Sequence, residues 1–168
     1  MNSETMWRRL AVLGVVAAIA TVVVWIGIPR TAPEDADIIV YKMRTCECCK
    51  NWVAHMRNSG LKVKTVNLSD TAPMQSRLGV PQDLRSCHTA VAGKLWIEGH
   101  VPADLVQRLI SDNPDNIRGI AVPGMPRGAP GMEGPNPTEY NVLVYDSSGN
   151  TTLYARRQGE RVAPGHSL

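Results

Sequence analysis

A chain of 168 residues has room for one compact domain and short accessory segments. Its formal charge of +3 drops to +1 beyond residue 30, where 15 Lys/Arg stand against 14 Asp/Glu. A domain so close to neutral has no electrostatic footprint for nucleic acid, and that class of partner is excluded. Phe is absent, so Val, Ile, Leu and four Trp must build the core.

The amino-terminal segment comes first. Arg8 and Arg9 precede residues 10–28, nineteen positions without a charge, and Pro29 follows. A helix of that length spans roughly 28 Å, close to the ~30 Å hydrocarbon thickness of a bilayer. The arginines favour a cytoplasmic amino terminus and place the rest of the chain outside. Residues 1–29 are therefore expected to be a signal anchor, one transmembrane helix that holds the protein in a membrane. The rival is a signal peptide cleaved near Ala18-Ile19-Ala20, leaving a soluble protein outside the membrane. Either way the domain faces an oxidising compartment.

Residues 30–37 form a polar linker, and residues 38–43 are a β-branched run of strand length. Residues 46–59 read as a helix with Trp52, Val53 and Met56 on its buried stripe and Gly60 as its stop. Residues 61–68 give a second strand, and 71–78 a short helix stopped by Gly79 and Pro81. Residues 89–92 and 95–98 pair as strands around Gly93-Lys94. Pro102 opens an amphipathic helix with Leu105, Val106, Leu109 and Ile110 on its buried side. Ten of the twenty residues 119–138 are Gly or Pro, and this segment is expected to be an irregular loop. Residues 140–145 and 151–155 close the domain as a hairpin, which would hold the loop across it. Residues 156–168 are expected to be a flexible tail. The order β-α-β-(α)-β-β-α, with a cysteine motif between the first strand and first helix, is the thioredoxin arrangement. The expected fold is α/β and thioredoxin-like over residues 38–155, with an added Gly/Pro-rich loop and carboxy-terminal hairpin.

The four cysteines occupy two places: Cys46-Glu47-Cys48-Cys49, and Cys87. Two structural disulfides are one reading, but a Cys48–Cys49 bridge is a strained vicinal ring. A Cys46–Cys49 bridge would leave Cys48 and Cys87 to pair across the fold. Thiol–disulfide exchange by Cys46 and Cys49 is another, since a helix amino terminus lowers a thiol pKa. Two further sulfurs beside such a dithiol would, however, trap mixed disulfides. Metal binding accounts for all four together. Converging soft sulfurs select Cu(I) or zinc, and three sulfurs within four residues suit a zinc tetrahedron poorly. Four thiolates would balance the charge of four cuprous ions, so the site admits a polynuclear copper cluster.

Met125 and Met132, both in the Gly/Pro loop, are candidate thioether ligands. The bland alternative is that they only anchor the loop. His88 adjoins Cys87 and is a candidate ligand or support, provided that its ring does not turn away. His55 and His100 read as structural, and Met43 as core.

Four stretches then carry a resemblance: residues 41–56 (YKMRTCECCKNWVAHM), 86–90 (SCHTA), 97–103 (IEGHVPA) and 121–133 (AVPGMPRGAPGME). In this order they resemble the CopG-type copper-resistance family of bacteria. The resemblance implies a thioredoxin-like fold, copper held by the C-x-C-C motif and the later cysteine, a periplasmic location, and a role in copper resistance with interconversion of Cu(I) and Cu(II). Glu47 departs from the glycine common at that position. The expected partners are copper ions, the inner membrane and other copper-handling envelope proteins. The alternative function is an envelope thiol–disulfide oxidoreductase using Cys46 and Cys49.

Overall fold

The computed structural model describes residues 36–162. The expected anchor over residues 10–28 lies outside them. Among the described residues no helix is long and apolar enough to cross a membrane.

The fold is mixed α/β, with eight strands in one sheet and three α-helices among the described residues. The strands are β1 (Ile38–Met43), β2 (Val63–Leu68), β3 (His88–Ala92), β4 (Leu95–Gly99), β5 (Ile117–Val122), β6 (Glu139–Asp146), β7 (Thr151–Gln158) and β8 (Arg161–Val162). The helices are α1 (Glu47–Asn58), α2 (Ala72–Arg77) and α3 (Ala103–Asp112), with a 3-10 turn at Gln82–Leu84. The sheet order is β2-β1-β3-β4-β5-β6-β7-β8. β1 runs parallel to β2 and antiparallel to β3, β3 antiparallel to β4, and β4 parallel to β5. β5 to β8 continue as antiparallel neighbours.

Local chemistry sets the helix ends. Gly60 sits at φ +94°, its N–H bonded to the Arg57 carbonyl, while the Leu61 N–H reaches the Met56 carbonyl. Gly79, at φ +74°, and Val80 repeat this at the end of α2. Both are Schellman closures, which need a residue tolerant of the left-handed region. The stripe Trp52, Val53 and Met56 of α1 shares one buried core with Ile38 and Val40 of β1 and Leu105, Val106 and Leu109 of α3. The Trp52 indole N–H donates to the Val101 carbonyl at 2.8 Å, so its one polar atom is satisfied within the core.

Two expectations need correction. Residues 119–122 are not loop: they form the second half of β5, between β4 and β6, and Ile120, Ala121 and Val122 are fully buried. Gly119 is in the strand because the Trp96 ring lies directly over its Cα, where a Cβ would overlap it. The Gly/Pro loop proper starts at Pro123. Nor does the domain stop at residue 155. β7 continues to Gln158, and the Arg157 side chain is buried and paired with Asp104 on α3 at 2.7 Å. The polar composition of that segment hid a charged residue folded against a helix. Residues 163–168 of the expected tail lie outside the described residues.

Candidate metal centre

The turn from β1 into α1 presents three of the cysteines. The Cys46 N–H donates to the Met43 carbonyl at 3.1 Å, and Cys46 is the residue from which the helix begins. Cys48 and Cys49 follow in the first turn, Cys49 fully buried and Cys46 and Cys48 half-buried. Unpaired N–H groups at this end favour anionic sulfur.

Cys87 arrives from the segment before β3, which a buried network holds. The Glu98 carboxylate on β4 accepts from the Ser86 N–H at 2.7 Å and from the Gln75 amide of α2. The same amide donates to the Ser86 carbonyl at 3.0 Å. Both edges of the residue before Cys87 are thus fixed. Glu98 is fully buried, and desolvation raises its carboxyl from 4.5 to about 7 against the pull of those hydrogen bonds.

The result is a compact sulfur cluster. Cys46 and Cys48 Sγ are 3.5 Å apart, Cys49 and Cys87 Sγ 3.5 Å, and Cys48 and Cys87 Sγ 3.9 Å. All four sulfurs lie within 4.8 Å of one another. Cys46 and Cys49 are joined by a disulfide, while Cys48 and Cys87 are free thiols. Burial, and next the neighbouring Cys48, push the Cys87 thiol up to about 12. It is protonated at neutral pH.

Two imidazoles complete the surroundings. His88 Nδ1 is 3.4 Å and His100 Nε2 3.2 Å from Cys87 Sγ. The three ligand atoms form a second group within 4.8 Å. The His88 ring does not turn away; it lies between Trp52 and His100, with ring centroids at 4.5 and 5.0 Å. His100, read from sequence as structural, belongs to this group. With the Nδ1–H donated to the Pro130 carbonyl at 2.8 Å, its Nε2 lone pair faces the sulfur. Burial pushes the pKa of both histidines down, which favours the neutral imidazole in each. His55 is structural as read: its Nε2 accepts from the Ala103 N–H at 3.1 Å.

The loop after β5 lies over this cluster and is tied to it at three points. The Ser86 hydroxyl donates to the Gly124 carbonyl at 2.5 Å, His100 holds Pro130, and Gly131 packs on the first turn of α1. A Cβ on Gly131 would stand 2.6 Å from the Trp52 nitrogen and 2.7 Å from the Cys48 carbonyl oxygen. The two methionines differ: Met125 is 58% exposed, and Met132, next to Gly131, is half-buried. Met43, read as core, is 37% exposed at the end of β1. Sequence reasoning missed Glu98 and Gln75 as well as His100. Glu98 had a signal, a lone carboxylate in the apolar run Leu95-Trp96-Ile97, whereas Gln75 had none.

Cysteine sulfurs and neutral imidazoles are soft to borderline donors, and this set suits a soft cation over a hard one. A family described as "Protein of unknown function, DUF411" matches residues 84–132, which include Cys87, both site histidines and most of the loop. No curated protein matches the chain. Two solved structures described as copper resistance protein copG, forms 2 and 1, are each 39% identical with a TM-score of 0.69. The matches cover 74% and 75% of this chain and 99% and 100% of theirs. With that identity over the full length of those proteins, and with the C-x-C-C motif and the later cysteine converging on one centre, the chain belongs to the CopG family of copper resistance proteins.

Proposed function

We propose that this protein binds copper(I) through Cys46, Cys48, Cys49 and Cys87, assisted by His100 and His88, and so contributes to copper resistance in the periplasm. The observation that carries this reading is the convergence of four sulfurs from two distant segments. Anchorage through residues 10–28 would keep the domain at the outer face of the inner membrane. The domain itself is read as thioredoxin-like, on the strength of the β2-β1-β3-β4 order, its strand directions and the cysteines at the start of the helix after β1.

The disulfide marks an oxidised state of the site. A dithiol reductant, itself oxidised to a disulfide, would restore the Cys46 and Cys49 thiols, after which cuprous ions displace thiol protons, and bridging sulfurs allow more than one ion. His100 contributes a nitrogen that needs no deprotonation. The loop keeps water from the centre and offers Met125 and Met132 as thioether donors, which bind without losing a proton.

A thiol–disulfide oxidoreductase is the second reading, favoured by the Cys46–Cys49 disulfide at a helix amino terminus. Single Cys48→Ser and Cys87→Ser variants separate the two. Copper occupancy of the anaerobically reduced protein should fall at least tenfold in each, with the C-x-x-C pair intact. Full occupancy in both, with efficient insulin reduction by the unmodified protein, would favour the oxidoreductase. In the same assay Met125→Leu with Met132→Leu should speed air oxidation of bound copper. An unchanged rate would leave the methionines as loop anchors.

A further inference from the structure

A cleft between α1 and β2 gathers positive charge next to the cysteine turn. It is lined by Lys42, Arg44, Lys50 and Arg57, with Val53 and Asn67 between them. Lys42 is 5% exposed, and its ammonium group finds only neutral partners, Asn67 Oδ1 and the Met43 carbonyl, each at 3.2 Å. Arg57 donates to the Val63 carbonyl at 3.1 Å and has no carboxylate partner among the described residues. Arg44 is exposed and makes no ion pair with any described residue. Among the described residues the acid beside the group is Glu47, which binds Lys50 at 2.8 Å on an open surface, where water and salt weaken the pair.

Four cations facing one exposed carboxylate repel one another, and burial together with Lys50 and Arg44 lowers the Lys42 pKa. The protein gathers this charge although residues 31–168 together carry only +1, 15 Lys/Arg against 14 Asp/Glu. Lys50, Val53 and Arg57 follow one edge of α1 over seven residues, about 10 Å at 1.5 Å each. Cations strung over that distance match a run of carboxylates along a chain. They do not converge on a point, as a single small anion would require. One end of the row is Lys50, next to Cys49, and Arg44 lies two residues before Cys46.

We infer that this cleft docks an acidic segment of a partner polypeptide, bringing the partner's own metal-binding groups to the mouth of the cysteine centre. The inference rests on the copper-binding reading for its purpose but not for its test. Opposite charge would steer the encounter and fix orientation, leaving the soft ligands to exchange the cation.

A fluorescein-labelled deca-glutamate peptide titrated against the full-length protein tests this by anisotropy. The peptide should bind, with affinity falling steeply as salt rises. The triple variant Arg44→Gln, Lys50→Gln, Arg57→Gln should bind at least tenfold more weakly, with copper occupancy unchanged. Arg77→Gln with Arg118→Gln, remote from the cleft, should bind as the unmodified protein does. Equal binding by the triple variant would overturn the inference, as would displacement of the peptide by millimolar inorganic phosphate, which would mark a small-anion site. Failure of copper binding with intact peptide binding would count against the metal reading alone.

Discussion

Glu98 lies at the back of the cluster without a cation in contact, and its chemistry reaches Cys87 through one residue. Its two hydrogen bonds go to a single oxygen, and the second oxygen is buried without a partner. A carboxyl raised from 4.5 to about 7 binds its proton more tightly in the folded state. Its contribution is therefore complete below the unfolded value and is lost as pH rises through the folded one, a difference of about 3 kcal/mol. Glu98→Gln keeps the accepting oxygen and cannot ionise. Denaturant unfolding from pH 5 to pH 8 should show the unmodified protein losing stability with rising pH and the variant losing much less. Parallel curves would mean that Glu98 is ionised throughout. At this scale the cysteines were legible in the sequence because their spacing is chemical. His100 was not: its role depends on the loop carbonyl of Pro130, thirty residues away, which no local pattern encodes.

The loop after β5 closes on the surroundings of the centre through its backbone, which meets the Ser86 hydroxyl, the His100 ring and the backbone of α1. Gly131 is where this contact is closest, at φ +83° with α1 backbone against its Cα. Gly131→Ala should therefore cost about 1–3 kcal/mol, from the unfavourable φ and the overlap together, and should expose the cluster. Gly134, with open space around it, is the control: Gly134→Ala should change neither stability nor thiol reactivity. Alkylation of Cys48 and Cys87, followed by mass spectrometry, reads the exposure. Equal rates in both variants would show that the loop does not shield the thiols. Most elements were legible because their punctuation is local: Gly60 and Gly79 announce helix ends, and Pro102 a helix start. β5 was hidden because Gly119 reads as loop until the Trp96 ring above it is known. The continuation of β7 was hidden for a related reason, since Arg157 becomes interior only once Asp104 is placed beside it.

Across the whole molecule, the sheet joins a first half that carries the sulfurs to a second half that supplies the cover. β1, β3 and β4 bring Cys46, Cys87 and His100 to one region, and β5 launches the loop that returns over it. Hydrophobic runs and turn residues suffice to anticipate the first half. The second half is specified by contacts between segments, so sequence reasoning located its hairpin but not the length of its strands. The central claim is that the four sulfurs hold cuprous ions. Copper K-edge X-ray absorption of the full-length protein, reduced and loaded anaerobically with Cu(I), tests it most directly. The expected result is a sulfur-dominated first shell with a minor nitrogen contribution, and a copper–copper scattering path if the ions share bridging thiolates. A shell of nitrogen and oxygen alone would contradict it.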